Sequence, residues 1–70
     1  MSMKSISTKI KELRLEKGLT QKQLAEKIGT TDDCIYSWEN ERSEPSCDFI
    51  CVLCDFFEVS ADYLLGRSDI

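Results

Sequence analysis

Residues 19–40, LTQKQLAEKIGTTDDCIYSWEN, decide the fold. Thr20 and Gln23 fit the Ser/Thr-x-x-Glu/Gln capping box, and Leu19 and Leu24 stand where a hydrophobic staple would close around it. Leu24, Ala25 and Ile28 then form the inner face of a helix that Gly29 ends. Only Thr30 separates Gly29 from Thr31, the N-cap candidate of a further helix whose buried face is Ile35 and Trp38. A helix that stops and restarts within three or four residues turns sharply, and such a pair crosses steeply. Ala25 is small where the two would pass closest.

Outward from this pair the spacing stays helical, with no alternating run long enough for a strand. Ile6, Ile10 and Leu13 mark one face of a first helix beginning near Ser5 or Ser7, and Gly18 suits its C′ position. After the loop Glu41-Arg42-Ser43-Glu44-Pro45, Ser46 can cap a fourth helix through Phe57. Ser60 can cap a short fifth ending at Gly66. The expectation is an all-α, compact five-helix domain filling residues 1–70, with helices 2 and 3 as a helix-turn-helix.

Composition agrees with one small globular domain. Seventy residues are 41% hydrophobic and 31% charged, and a chain this short buries only about 60% of its unfolded surface. No apolar run approaches the ~20 residues that span a bilayer. The opening MSMKSIS lacks a secretory apolar core, so a cytoplasmic, nucleoid-associated protein with no membrane partner is expected. In that compartment four cysteines do not imply disulfides. Charge is segregated. Residues 1–28 hold seven basic and three acidic side chains, a net +4, whereas residues 29–70 hold two basic and ten acidic, a net −8. A polyanion is drawn to the first half and repelled by much of the second. There is no histidine, no glycine-rich phosphate loop and no nucleophile–base pair, so no enzyme and no cofactor are expected.

LTQKQLAEKIGTT followed by IYSWEN resembles the Cro/CI-type helix-turn-helix domain of phage repressors and XRE-like bacterial regulators. EPS followed by DFFEVSADYLLGR resembles that family's closing helices, so the likeness runs from about Ser5 to Arg67. It implies a lambda-repressor-like fold and sequence-specific binding of double-stranded DNA by a transcriptional regulator, a repressor acting as a homodimer on a two-fold site. By position it implies base-reading by Thr31, Asp32, Asp33 and Ser37, with Tyr36 as a further contact. Phosphates would be held by Gln21 at one clamp and by Asn40, Arg42 and Ser43 at the other. A helix N-terminus, with free N–H groups and a positive dipole end, suits the first clamp. Arg14 and Glu39 match a partly buried ion pair tying helix 1 to helix 3; two exposed charges worth under ~1 kcal/mol are the alternative. Glu41 stands where the family often has glycine.

Asp32 and Asp33 depart from the family pattern and leave three readings. Both complement the dipole of helix 3 at ~0.3–1 kcal/mol each. One carboxylate accepts from a cytosine amino group, the usual acidic base contact. Or the surface has exchanged DNA for a basic protein partner, giving an interaction module of the same fold, antitoxin-like or an adaptor. With so few basic residues past helix 2, DNA binding should be weak and salt-sensitive in a monomer and strengthened by pairing. Regulation would come through dimerisation, competition or proteolysis, because no effector domain is evident.

Cys47, Cys51 and Cys54 fall at i, i+4, i+7 on one stripe. A metal site is not expected, because tetrahedral cysteine sites use loops or knuckles; core packing is expected instead, with a metal or redox sensor as the alternative. Cys34 is expected to be the more exposed and reactive thiol. Helix 4 has almost no polar face, so part of Phe49, Cys51, Val52 and Phe56 should form an exposed patch, and with the C-terminal residues a dimer interface.

Overall fold

A computed structural model of the chain describes residues 3–66. These hold five helices and no strand: α1 (Met3–Glu16), α2 (Gln21–Ile28), α3 (Asp32–Glu39), α4 (Cys47–Phe57) and α5 (Ala61–Leu64). The helical expectation holds. The end of the matched stretch at Arg67 and the C-terminal residues of the expected dimer face lie outside the described residues.

Side-chain hydroxyls start four of the helices. Thr20 accepts from the Gln23 N–H at 3.0 Å, and the Gln23 side chain accepts from the Thr20 N–H at 2.9 Å, which completes the capping box. Thr31, Ser46 and Ser60 likewise accept from the N–H three residues on, at 3.4, 3.3 and 3.0 Å. Each satisfies an N–H that the helix geometry leaves without a partner. The first helix differs from expectation, beginning at Met3 rather than near Ser5 or Ser7. Ser7 is not a cap. It is buried, and its hydroxyl donates to the Trp38 carbonyl, joining α1 to α3.

Three helices end the same way. After α1, the Leu19 N–H reaches the Arg14 carbonyl and the Gly18 N–H reaches Leu15, with Gly18 left-handed at φ 70°. After α3, the Arg42 N–H reaches Ser37 and the Glu41 N–H reaches Trp38, and after α4 the Val59 N–H reaches Cys54 and the Glu58 N–H reaches Asp55. This is the paired 6→1 and 5→2 pattern that needs a left-handed residue at C′. Gly18 meets that need without strain, but Glu41 (φ 60°) and Glu58 (φ 58°) carry side chains there. For an L-residue with a Cβ the left-handed region costs roughly 1–2 kcal/mol.

The core gathers one face from every helix. Ile6, Ile10 and Leu13 of α1 meet Leu24, Ala25 and Ile28 of α2, Ile35 and Trp38 of α3, Leu53 and Phe57 of α4, and Leu64 of α5. Trp38 also lies against Phe49, ring centroids 5.4 Å apart. α3 packs on α2 and α1, while α4 rests on α2 and α5 closes against α1 and α4. Among the described residues no helix is long and apolar enough to cross a membrane.

Candidate nucleic-acid interface

The turn between α2 and α3 is three residues long. Gly29 is left-handed at φ 82°, and both its N–H and that of Thr30 bond to the Ala25 carbonyl at 2.9 Å. A Cβ at Gly29 would meet nothing within 4 Å, so the requirement is the backbone angle rather than space. Thr31 then runs extended before α3 begins. The two helices are therefore separate rods, and α2 buries Leu24, Ala25 and Ile28 while α3 buries Ile35 and Trp38.

Burial of Ile35 and Trp38 turns the opposite edge of α3 outward. Thr31, Asp32, Asp33 and Tyr36 are exposed, and Ser37 is half-buried beside them. Among the described residues no side chain covers this edge to the point of burial. α3 carries two acids in its first turn and no base in its last, so Asp32 and Asp33 face the positive end of the helix dipole.

One ionic node sets α3 against α1 and α2. Arg14, on the last turn of α1, donates from Nε to Glu39 Oε2 at 2.7 Å and from Nη2 to Glu39 Oε1 at 3.0 Å. Its Nη1 donates to the Leu19 carbonyl at 2.8 Å. Gln21, the first residue of α2, donates from Nε2 to Glu39 Oε1 at 3.1 Å. The Arg14 and Glu39 side chains are only 10% and 3% exposed. Two parallel charge-assisted bonds in a setting this dry are geometrically specific, and they fix the ends of three helices to one another. Glu39 thereby also holds the Gln21 side chain through its amide nitrogen.

The second expected phosphate group is arranged differently. Asn40 Nδ2 donates to the Tyr36 carbonyl at 2.8 Å, closing the last turn of α3. Arg42 and Ser43 are exposed, and both their N–H groups fold back to the Ser37 carbonyl, at 2.9 and 3.4 Å. The Arg42 guanidinium lies over the Tyr36 ring, 5.6 Å from its centroid. Neither the Gln21–Glu39 bond nor the Arg42–Tyr36 stacking has a sequence signature of its own; both join residues that spacing alone leaves unrelated.

The cysteines require a correction. Cys47 is exposed rather than core; Cys51 is exposed, as expected of the helix-4 patch; and Cys54 is half-buried, packed against the core. The inward direction of α4 is fixed by Leu53 and Phe57. At about 100° per residue, Cys54, Cys47 and Cys51 lie progressively further round, from about 100° to about 160° away from Leu53. Cys34 is half-buried rather than the most exposed thiol. Hydrogen bonding from the Thr30 hydroxyl, then from Thr31, holds its thiol below the ordinary value of 9.0, whereas burial, then the charges of Cys51 and Asp55, pushes Cys54 above it. Among the described residues no group of three or more His, Cys, Asp or Glu converges as a metal site. Of the four residues of the expected patch, Cys51 and Val52 are exposed; Phe49 is drawn onto Trp38, and Phe56 is half-buried edge-on to Phe57.

Comparison with known proteins places this geometry. A helix-turn-helix family model matches residues 10–64. The chain is 33% identical over 66 residues to the HTH-type transcriptional regulator ImmR of Bacillus subtilis (strain 168), covering 94% of this chain and 52% of that protein. It is 38% identical over 61 residues to the uncharacterized HTH-type transcriptional regulator YobD of the same organism, covering 87% of this chain and 54% of that one. With the HTH-type transcriptional activator BcrR of Enterococcus faecalis it shares 34% identity over 62 residues, 89% of this chain and 30% of BcrR. The chain spans about half the length of the first two relatives. The family match takes in α2, the Gly29 turn and α3 together with the helices that brace them, and the chain belongs to the XRE-like, Cro/CI-type helix-turn-helix family.

Proposed function

We propose that the chain is a sequence-specific duplex-DNA-binding transcriptional regulator that places α3 in the major groove. The observation that carries this reading is the outward edge of α3, with Thr31, Asp32, Asp33 and Tyr36 open to solvent while Ile35 and Trp38 anchor the other side. A groove about 12 Å wide admits one helix and shows each base pair a distinct pattern of donors and acceptors. In this reading Gln21 and the N-terminus of α2 on one side, and Asn40, Arg42 and Ser43 on the other, hold phosphates flanking that groove. Three regulators among its relatives, one of them named an activator, support the role. Repression is the output proposed here, because a bound domain blocks access to the DNA it covers, and its site of action is the nucleoid.

Dimerisation completes the proposal. α4 offers Cys51 and Val52, flanked by the half-buried Phe49 and Phe56, as the centre of an isologous contact. Pairing would couple two half-sites and offset the weak affinity of an acidic protomer. Asp48 and Asp55 lie one turn to either side of Val52, so added salt should favour pairing while it weakens DNA binding.

The acidity of residues 29–70 favours a second reading, a protein-interaction module that has kept the fold. In vitro selection from random duplexes, followed by a salt titration of the winners, separates the two. Recovery of a two-fold consensus supports DNA recognition; recovery of no sequence at low salt sinks it and leaves the second reading.

A further inference from the structure

Between Lys27 and Arg67 the sequence contains a single basic residue, Arg42. α3 has none and begins with two aspartates. A helix entering a polyanion's groove needs compensating charge, since phosphate contacts by Lys and Arg supply most sequence-independent affinity. Arg42 lies outside α3, six residues past Tyr36, yet the backbone returns it to the helix. The left-handed Glu41 reverses the chain, and the Arg42 N–H is tied to Ser37. Its guanidinium then rests over the Tyr36 ring at 5.6 Å. Both side chains are exposed. Among the described residues Arg42 makes no ion pair, although Glu41 and Glu44 are close in sequence. A guanidinium held over a ring by cation–π attraction makes no hydrogen bond to it, so its N–H groups stay available to the oxygens of a phosphate.

We propose that Tyr36 is the positioning residue for Arg42, and that the two side chains act as one unit supplying the positive charge of the recognition edge. The inference rests on the DNA-binding reading above. It makes the edge electrically polar. The acidic head at Asp32 and Asp33 meets base amino groups, and the tail at Tyr36 and Arg42 meets a backbone phosphate. The role assigned to Tyr36 belongs to its ring, which keeps the guanidinium beside α3.

The test is a salt titration by fluorescence anisotropy on a selected duplex, comparing wild type, Arg42→Ala, Tyr36→Phe, Tyr36→Leu and the Tyr36→Leu/Arg42→Ala double variant. Both positions are exposed, and melting curves verify that each variant is folded. Loss of one phosphate contact lowers the slope of log K against log salt by about 0.9, or about fivefold in affinity at 0.15 M salt. Arg42→Ala should show that loss. Tyr36→Leu should reproduce most of it although it removes no charge, Tyr36→Phe should keep the wild-type slope, and the double variant should have the slope of Arg42→Ala. A wild-type slope in Tyr36→Leu, or in Arg42→Ala, overturns the proposal while DNA recognition stands. Absence of salt-dependent binding in the wild type removes both.

Discussion

Replacing Arg14 or Glu39 by methionine should remove about a third or more of the domain's stability, while replacing both should do far less. Glu39 is 3% exposed at its side chain and accepts three hydrogen bonds, two from Arg14 and one from Gln21. Arg14→Met removes two of the three and leaves a buried carboxylate with one neutral donor. Glu39→Met leaves a buried guanidinium holding only the Leu19 carbonyl. Stranding a charge in this way costs about 3–5 kcal/mol. A 70-residue domain has roughly 3.5–10 kcal/mol in total, so either single variant removes about a third or more. At ~4–8 °C per kcal/mol, the midpoint should fall by about 12–40 °C. The double variant removes the ion pair as a whole, strands no charge and leaves only the Leu19 carbonyl and the Gln21 amide short of a partner, so a cost of about 1–2 kcal/mol is expected. Urea unfolding followed by the fluorescence of Trp38, the lone and buried tryptophan, measures all three. A coupling energy of at least about 2 kcal/mol supports the node. Additivity within about 0.5 kcal/mol would refute it, and single costs under ~1 kcal/mol would mean that the pair behaves as a solvated one.

Further outcomes follow from the caps, the reading edge and the thiols. Glu41→Gly and Glu58→Gly should each raise stability by roughly 0.5–1 kcal/mol in the same urea assay, relief of left-handed strain outweighing the entropy of glycine; a loss in both would contradict the backbone assignment. Thr31→Ala should cost about 1 kcal/mol by removing the cap of α3, and unchanged stability would show that the hydroxyl is dispensable. Asp32→Asn or Asp33→Asn should change the preferred base at one operator position in a selection experiment; a uniform gain on all sequences would leave the carboxylates as tolerated charges only. For Cys34, whose folded pKa lies below the ordinary 9.0, the thiolate's contribution to stability is present above that value and lost as pH falls through the folded pKa; for Cys54, raised by burial, the favourable contribution holds below 9.0 and is lost as pH rises through the folded pKa. Alkylation followed by mass spectrometry should therefore find the pH profile of Cys34 displaced below that of Cys54, and coincident profiles would count against the hydrogen bonds from Thr30 and Thr31.

Much of this fold was legible because its signals are local. Thr20 with Gln23, Thr31, Ser46 and Ser60 each cap a helix through atoms three residues away, and a sequence displays that spacing directly. The inner faces at Ile6-Ile10-Leu13, Leu24-Ala25-Ile28 and Ile35-Trp38 follow from the period of a helix. What escaped depends on rotation and on distant partners. The exposure of Cys47 follows from where Leu53 and Phe57 point α4, and composition cannot supply that direction in a helix apolar on nearly every side. Ser7 reads as a possible helix start, yet its hydroxyl belongs to Trp38, thirty-one residues later. Glu58 carries no mark of a left-handed residue, since it is the bonds of its own N–H and of the Val59 N–H, and not the side chain, that impose the angle. At the interface the exposed residues lie along one helix edge, but the bonds that hold Gln21 and Arg42 in place are tertiary and leave no pattern in spacing.

The two open thiols on α4 have a practical consequence. Neighbours one turn apart on a helix hold their Cβ atoms about 5–6 Å from each other, whereas a disulfide needs about 3.5–4.5 Å. Cys47 and Cys51 therefore cannot bridge to each other while α4 stays wound, and air oxidation is directed to neighbouring molecules instead. Either sulfur of one copy can meet either sulfur of another, so an aged sample becomes a mixture of covalent pairs in several registers. Mass measurements made without reductant would count those adducts as assembly.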